Sequence, residues 1–519
     1  MKTIINKLSG VLLLTLALLV TSCGGENSKL ITQIGVSKAD FVGEVSVGQL
    51  INKSNIFKVL NKEQLDMLYN EAEMQGFSKT VRTLLDSKNG ALDYNAKVYA
   101  VINLEDRKPK MVYYAAIKDL KKFEEAINET VTTAQDYVET SKRDINGYTA
   151  YTINNNAILL YNKERVICTI NRTSDDEIKA ILTPSTTLDK MPYASELGND
   201  KNDFFAVGNL NAIKNSVLSK SQFAMMELTD FNNLPQELIE KTYITSTLNF
   251  VNSNIESHMS LIAEDAATQK ALEKEYNYIG KLKNSLNNYI SKRPLAVFVQ
   301  NIKGNKAAEF LNKMLQQSDN ITSEGDKEVV NSMLNIVKHI NGDIAGSLDA
   351  VVQEGFLNFK AKYSILLEGK AKSVFEEFKN TLNLIKIPYT EISDNVLSLY
   401  LGRDLVYLGY SDKFAYITTN KDFTEDTEII SPNLSTARYA KNNTYGYGLI
   451  DLNEIFNLPI VQQGLIFIGE DGANFARHLD YFKFKIETTT SASFALTFKD
   501  IDMNSLEYIT RAIAKSYGY

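Results

Sequence analysis

The chain has 519 residues, 44% hydrophobic and 23% charged, which is ordinary globular material. Its formal net charge is −7, with no basic block or tail. Nucleic acid binding needs clustered Lys and Arg to displace counterions, so composition argues against it.

Residues 1–22 read as a secretory leader. Lys2 and Lys7 form a positive start, and Val11 to Val20 is an unbroken apolar run of ten residues. A helix needs about 20 residues to cross a bilayer core, so this run is a signal segment and not a stable span. Val20-Thr21-Ser22-Cys23 then resembles a lipobox, in which the cysteine is acylated and becomes the new amino terminus. Cys23 is therefore the expected lipidation site and the link to a membrane. Two or more acyl chains anchor far more durably than one, at about 0.8 kcal/mol per buried CH₂. Residues 23–30 form a short polar tether. Neither Gly24 nor Gly25 after the cysteine is Asp, so the familiar inner-membrane retention signal is missing, which leans towards the outer membrane, with its periplasmic or surface face left open.

Removing residues 1–22 takes away two lysines, so the mature charge is 54 − 63 = −9. Cys168 is then the one other cysteine, so no intramolecular disulfide can form. It sits in the alternating run Arg165 to Ile170 and reads as a small apolar residue in a sheet, not a reactive thiol.

From residue 31 onward a unit recurs. Ser46-Val47, Asn209-Leu210 and Asp451-Leu452 each carry a strand into a helix, with a looser copy at Asn301-Ile302. The polar residue suits an N-cap or a turn. Strand pairs follow, 97–104 with 111–117, 244–251 with 260–263, 344–352 with 363–367 and 481–487 with 494–498, leading into Lys118-Asp119, Glu264-Asp265, Glu368-Gly369 and Lys499-Asp500. Joined in order, these predict an α+β protein with mainly antiparallel sheets, made of four ferredoxin-like βαββα modules in two duplicated halves. The N-terminal half is 31–292, with modules near 41–200 and 201–292. The C-terminal half is 293–519, with modules near 293–440 and 441–519. Extra short strands follow modules one and three, at 148–153, 157–161 and 165–170, and at 387–392, 396–401, 405–409 and 414–418. Residues 265–292 carry an apolar stripe at helical spacing, with Leu272, Tyr276, Ile279, Leu282, Leu286 and Ile290.

Chemistry-bearing motifs are sparse. His258, His339 and His478 are not at metal-ligand spacing. There is no Gly-x-Ser-x-Gly elbow, Walker loop or dinucleotide fingerprint. Gly469 to Gly472 reads as a turn, and Asn199 to Asp203 as a loop that lacks the glycine and terminal glutamate of an EF-hand. Glu124-Glu125 and Glu376-Glu377 are adjacent on helices and diverge by about 100°. Tyrosine-rich strands between Asn395 and Tyr410 could stack sugars, but the chain has no tryptophan. No catalytic, metal or cofactor site is assigned.

The chain resembles a family of Bacteroidota lipoproteins of about this length, domain of unknown function 4836. The resemblance rests on the lipobox at Cys23, on Phe41 to Ile51 and on Leu92 to Ala100, where Ala96-Lys97-Val98 lacks the family's proline. It rests best on Arg293 to Val297, continuing to Asn301-Ile302-Lys303-Gly304, and on Asn341-Gly342-Asp343. The resemblance implies an envelope location and supplies no activity. The expectation is a non-enzymatic binding or scaffold lipoprotein with an envelope protein or glycan as partner. A carrier of lipid or another hydrophobic ligand, and a hydrolase using Asp and Glu alone, are the alternatives.

Overall fold

In the computed structural model, the described residues are 30–36, 39–61, 63–65, 90–93, 95–104, 109–134, 140–153, 156–199, 201–215, 234–290, 294–316, 323–353, 359–421, 443–465, 467 and 469–516. Cys23 and residues 24–29 of the expected tether lie outside them, as do residues 291–293 at the expected join of the two halves, whereas Leu30 is described and buried. The chain divides into two compact units, Met1–Ala266 with Ile501–Tyr519, and Ala267–Asp500.

The first unit begins with β1 (Phe41–Val45), α1 (Val47–Ser54) and α2 (Ile56–Val59), then β2 (Val98–Asn103), β3 (Lys110–Ala116) and α3 (Leu120–Ala134). A meander follows: β4 (Thr140–Ile145), β5 (Tyr148–Ile153), β6 (Ala157–Tyr161) and β7 (Arg165–Ile170). Then come α4 (Asp175–Leu182), β8 (Phe204–Asn209), α5 (Leu210–Asn215), α6 (Gln236–Glu240), β9 (Thr242–Val251) and β10 (Asn254–Ala263). Ser174 and Glu177 form a reciprocal capping box that starts α4, and three acids fill its first turn.

The second unit holds α7 (Ala266–Glu275, from its second residue on), β11 (Ile279–Gly280), β12 (Ala296–Lys303), α8 (Gly304–Gln316), α9 (Glu324–His339), β13 (Ile340–Gln353), β14 (Phe359–Gly369) and α10 (Ala371–Leu384). Its meander is β15 (Thr390–Ser393), β16 (Val396–Leu401), β17 (Asp404–Tyr410) and β18 (Phe414–Thr418). After it come β19 (Gly446–Asp451), α11 (Leu452–Asn457), α12 (Pro459–Leu465), α13 (Gly469–Arg477), β20 (Leu479–Thr488) and β21 (Ser491–Phe498). The last helix, α14 (Ser505–Ser516), belongs to the first unit.

Both units are built on large antiparallel sheets with the same strand order. In the first, the neighbours run β4-β5-β6-β7-β3-β2-β1-β8-β9-β10. In the second they run β15-β16-β17-β18-β14-β13-β12-β19-β20-β21. This corrects the ferredoxin-like pairing. A split βαβ unit sets the two strands around its helix parallel, with another strand between them. Here β1 and β2 pair directly and antiparallel, as do β12 and β13. The helical excursion therefore works as an enlarged hairpin and needs no crossover.

One sheet face of the first unit carries Val42, Tyr99, Val101, Tyr114, Leu160, Ile167 and Phe205, covered by Leu30, Ile34, Ile178, Ile181 and Leu188. Opposite, Tyr113, Ala115, Leu159 and Cys168 pack under Phe123 and Ile127 of α3. In the second unit Val297, Val299, Phe414, Tyr447 and Leu449 lie under Leu286 and Ile290. The other face takes Ile336 of α9 and Val374 of α10.

The helix predicted over 265–292 stops at Glu275. Ile279-Gly280 pairs with Ile302 and Asn301 as a short strand, and Asn284 takes a positive φ of 59°. A side chain at Gly280 would collide with Asn301, so the glycine permits that pairing. The apolar stripe is still buried, but as a lid of irregular chain: Leu286 and Ile290 are core residues. Gly469 to Gly472, expected as a turn, opens α13, where Glu470 and Asp471 suit the positive helix end.

Candidate functional site

The most distinctive surface in each unit is a sheet face of apolar side chains that remain partly exposed. In the second unit the register lines up Gly346, Phe298, Gly448, Phe484 and Phe494 across five strands. The next row is Leu348, Ala296, Ile450, Phe482 and Leu496. Phe298 stacks on Phe484 with centroids 5.8 Å apart, and Phe482 on Phe494 at 6.4 Å. Gly448 makes this possible: a Cβ there would run into the Phe484 ring. Phe298, Ile450, Phe482, Phe484, Ile486 and Phe494 are all of intermediate burial. The other face of β20 and β21 alternates to Lys483, Lys485, Ser493 and Thr497, as strand periodicity requires.

The first unit repeats the arrangement. Ile102, Phe41, Gly208, Ile244 and Leu261 form one row, and Val45, Phe204, Leu248 and Ser257 another that ends at the buried Val98. Phe250 opposite Ile255 extends it, and Phe204 meets Phe250 edge-on at 6.4 Å. On β9 the usual preference is inverted: Thr245 and Thr247 are buried, while Ile244, Leu248 and Phe250 are partly exposed. A set of large apolar groups left wet on a sheet is the kind of surface that marks a binding function.

Three fully buried carboxylates, Glu44, Asp203 and Asp343, are engaged elsewhere, while the half-buried Asp349 keeps its Oδ1 without a partner. Glu44 of β1 and Lys97 form a buried ion pair at 2.6 Å. Lys97 also donates to the Asn199 carbonyl at 2.6 Å, and the Gly198 N–H donates to Glu44 at 2.7 Å. Asp203 pairs with Lys53 of α1 at 2.6 Å and accepts the Phe250 N–H at 2.7 Å. Together they latch the segment before β8. In the second unit, buried Asp343 accepts from Asn301 Nδ2 at 2.8 Å and from the Lys283 N–H at 3.0 Å. Burial holds the Glu44 carboxyl above its ordinary range, against the pull of Lys97.

Among the candidates read from sequence, Cys23 is outside the described residues. Cys168 is buried in β7, opposite Leu159 and Tyr113, and burial pushes its thiol up to about 12. His258 lies in β10 against Ser260 at 2.9 Å, His339 ends α9, and His478 follows α13 with Nδ1 at 2.8 Å from the Asn474 carbonyl. The three are on separate elements. Glu124 reaches the Tyr161 hydroxyl at 3.5 Å, and Glu376 is exposed on α10. Within Asn199 to Asp203, Asp203 is committed to Lys53 and Asn199 caps the Lys201 N–H. Among the described residues no three His, Cys, Asp or Glu stand together as a metal site. Nor is any described helix long and apolar enough to cross a membrane. Sequence reasoning placed the strands of the apolar faces but missed the faces, whose signal was the alternation Phe482, Phe484, Ile486 against Lys483, Lys485.

No curated protein matches the chain. Among solved structures, crystal form I of TP0453 is similar at 10% identity and a TM-score of 0.26, covering 48% of this chain and 85% of that one. Crystal form IV is similar at 12% identity and 0.26, covering 46% and 83%. Likeness at that level carries no argument about fold or function. The family model "Domain of unknown function (DUF4836)" matches residues 32–506. The chain therefore belongs to the DUF4836 family.

Proposed function

We propose that the protein is a non-catalytic lipoprotein of the cell envelope, held on the outer membrane by acyl chains on Cys23, whose apolar sheet faces take the hydrocarbon part of a lipid or similar hydrophobic ligand. The observation that carries the ligand reading is the partly exposed row Phe298, Gly448, Phe484 and Phe494. Glycine opposite phenylalanine leaves a flat apolar floor on which methylene groups can lie. Each buried CH₂ contributes about 0.8 kcal/mol. A non-catalytic role is supported by the commitment of the buried carboxylates Glu44 and Asp203 to lysines and of Asp343 to amide donors.

We also infer that the two halves arose by duplication. The identical strand order of the two sheets supports that origin, and so does the recurrence of a polar residue before α5 and α11. Asn209 caps the Ala212 N–H at 3.2 Å, and Asp451 caps the Glu454 N–H at 2.9 Å.

The test is extraction of lipid from the chain beginning at Gly24, purified from cells and analysed by mass spectrometry. Co-purifying acyl-chain species, reduced in Phe484→Ser, support the reading. Protein that carries no lipid and takes up no fatty-acid probe sinks it. The anchor is tested separately: Cys23→Ser moves the protein from the membrane fraction to the soluble fraction, and unchanged membrane retention refutes it.

A further inference from the structure

The described residues include eleven exposed large apolar side chains, and six of them fall within residues 384–405: Leu384, Ile385, Ile392, Tyr400, Leu401 and Leu405. Five of these gather at one end of the second unit's meander, while Ile392 lies at the other end of β16, beside the β15–β16 turn. Tyr400 pairs with Leu405 across β16 and β17, and Leu401 with Asp404, so all flank the turn at Gly402 and Arg403. Thr390 lies opposite Ser398, so the residues just before β15 run back beside Tyr400 and Leu401. Leu384, Ile385 and Lys386 enter from that side, after α10 has packed on Leu397 and Leu399. Tyr400 is 68% exposed, a large ring left in water at the end of a strand.

The exposed charges at this tip, Lys386 and Arg403, are cationic. Lys386 and Arg403 are exposed and make no ion pair among the described residues. Of the acids on these strands, Glu391 is held by Lys379 at 2.7 Å, and Asp404, opposite Leu401, is half-buried. Exposed Leu and Ile around a tyrosine, with long cationic side chains at the edge, is the composition of a segment that enters a lipid interface. The apolar groups leave water, tyrosine sits at headgroup level, and Lys and Arg reach the phosphates.

We propose that the β16–β17 turn and the adjoining Leu384–Lys386 segment form a tip that inserts into the surface of an anionic bilayer. This contact is independent of the acyl anchor and of any ligand on the sheet faces. The experiment uses the chain beginning at Gly24, which lacks the acyl anchor, and vesicles of phosphatidylethanolamine with phosphatidylglycerol. The sequence has no tryptophan, so Tyr400→Trp supplies a single reporter at the tip.

The expected result is a blue shift in the emission of the introduced tryptophan and co-sedimentation with vesicles, both weakened by salt. The double variant Leu401→Asp with Leu405→Asp lowers partitioning about tenfold or more, since each replacement takes apolar area out of the interface. Circular dichroism checks its fold, and the milder Tyr400→Ser with Leu405→Ser serves if the first pair misfolds. The proposal is overturned by a reporter that does not shift and protein that does not sediment. It is equally overturned by a shift that follows protein concentration without vesicles, which assigns the tip to a second copy. Binding that survives the tip variants but is lost in Phe467→Ser, 90% exposed elsewhere in the same unit, also overturns it.

Discussion

Lys97 Nζ lies 2.6 Å from Glu44 Oε1, and both side chains are only 1% exposed. Removing one partner leaves the other charge buried without compensation, which costs about 3–5 kcal/mol. Lys97→Met is expected to destabilise the first unit by that order. The loss is pH-dependent. Glu44 already has a raised pKa because burial outweighs Lys97, and deleting Lys97 raises it further. A carboxyl raised in the folded state binds its proton more tightly than in the unfolded chain, so stability falls as pH rises through the interval between the two pKa values. The penalty of Lys97→Met is therefore smallest near the ordinary carboxyl range, where Glu44 is protonated, and largest at neutral pH and above. Urea titrations of both proteins across that range check it; a penalty independent of pH refutes the assignment.

Gly448 and Gly346 sit two strands apart in the same row, yet they make opposite predictions. A Cβ at Gly448 would meet the Phe484 ring, whereas one at Gly346 would meet nothing within 4 Å. Gly448→Val is expected to displace Phe484 and cost about 1–3 kcal/mol through overpacking. It also lowers hydrophobic-probe binding if the face is the ligand site. Gly346→Ala should be neutral or mildly stabilising, because alanine loses less backbone entropy on folding. Thermal melts of the two variants decide the matter, and equal effects contradict the register.

Much of this architecture was legible from alternation alone. Strands expected at 148–153, 157–161, 165–170, 396–401 and 414–418 are formed with those bounds. The reason is physical: Arg165 to Ile170 or Phe414 to Thr418 are short apolar runs bounded by turn residues, which leave few other ways to bury themselves. The stretch 265–292 misled because its apolar spacing fits both a helix and a chain draped over a sheet. The positive φ at Asn284 and the pairing of Gly280 are set by tertiary contacts that no local pattern encodes. Which strand pairs with which was equally hidden, since β1 and β2 are separated by more than fifty residues. The apolar faces were written in β20 as Phe482, Phe484 and Ile486, but only register joins them to Phe298 and Gly448. Cys23 was read from sequence and falls outside the described residues, so its test is biochemical.

Cys168 yields a chemical prediction. Its sulfur is buried, and its thiol is pushed up to about 12 by burial. A thiolate is the reactive form, so the native protein should react very slowly with a disulfide reagent at neutral pH. In denaturant one thiol per acylated chain should react at once. Fast labelling of the native protein would contradict the packing of β7 between β3 and β6.

The last helix makes the sharpest demand on domain organisation. α14 packs on α1, α2 and β9 in the first unit, although it follows β21 of the second in sequence. Its approach clasps the β9–β10 turn: Asn504 Nδ2 donates to the Phe250 carbonyl at 2.9 Å, and Ser505 Oγ to the Asn254 carbonyl at 2.7 Å. The Ser253 N–H donates to the Met503 carbonyl at 3.0 Å, and the Ser253 hydroxyl to the Ile501 carbonyl. α7, which follows the β9–β10 pair as α14 follows β20 and β21, instead joins the second unit, where Glu275 meets Lys313 of α8 at 3.6 Å. The helix that follows each of these strand pairs thus falls in the unit to which those strands do not belong. A chain ending at Asp500 should lose protection against hydrogen exchange in β9, β10 and α1, while β12 and β13 keep theirs. Ser505→Ala should do the same more weakly, at about 1 kcal/mol for a lost hydrogen bond. Exchange measured by mass spectrometry separates the outcomes. Loss confined to β20 and β21 would mean that α14 stabilises the strands before it, and the exchange of helices would be wrong.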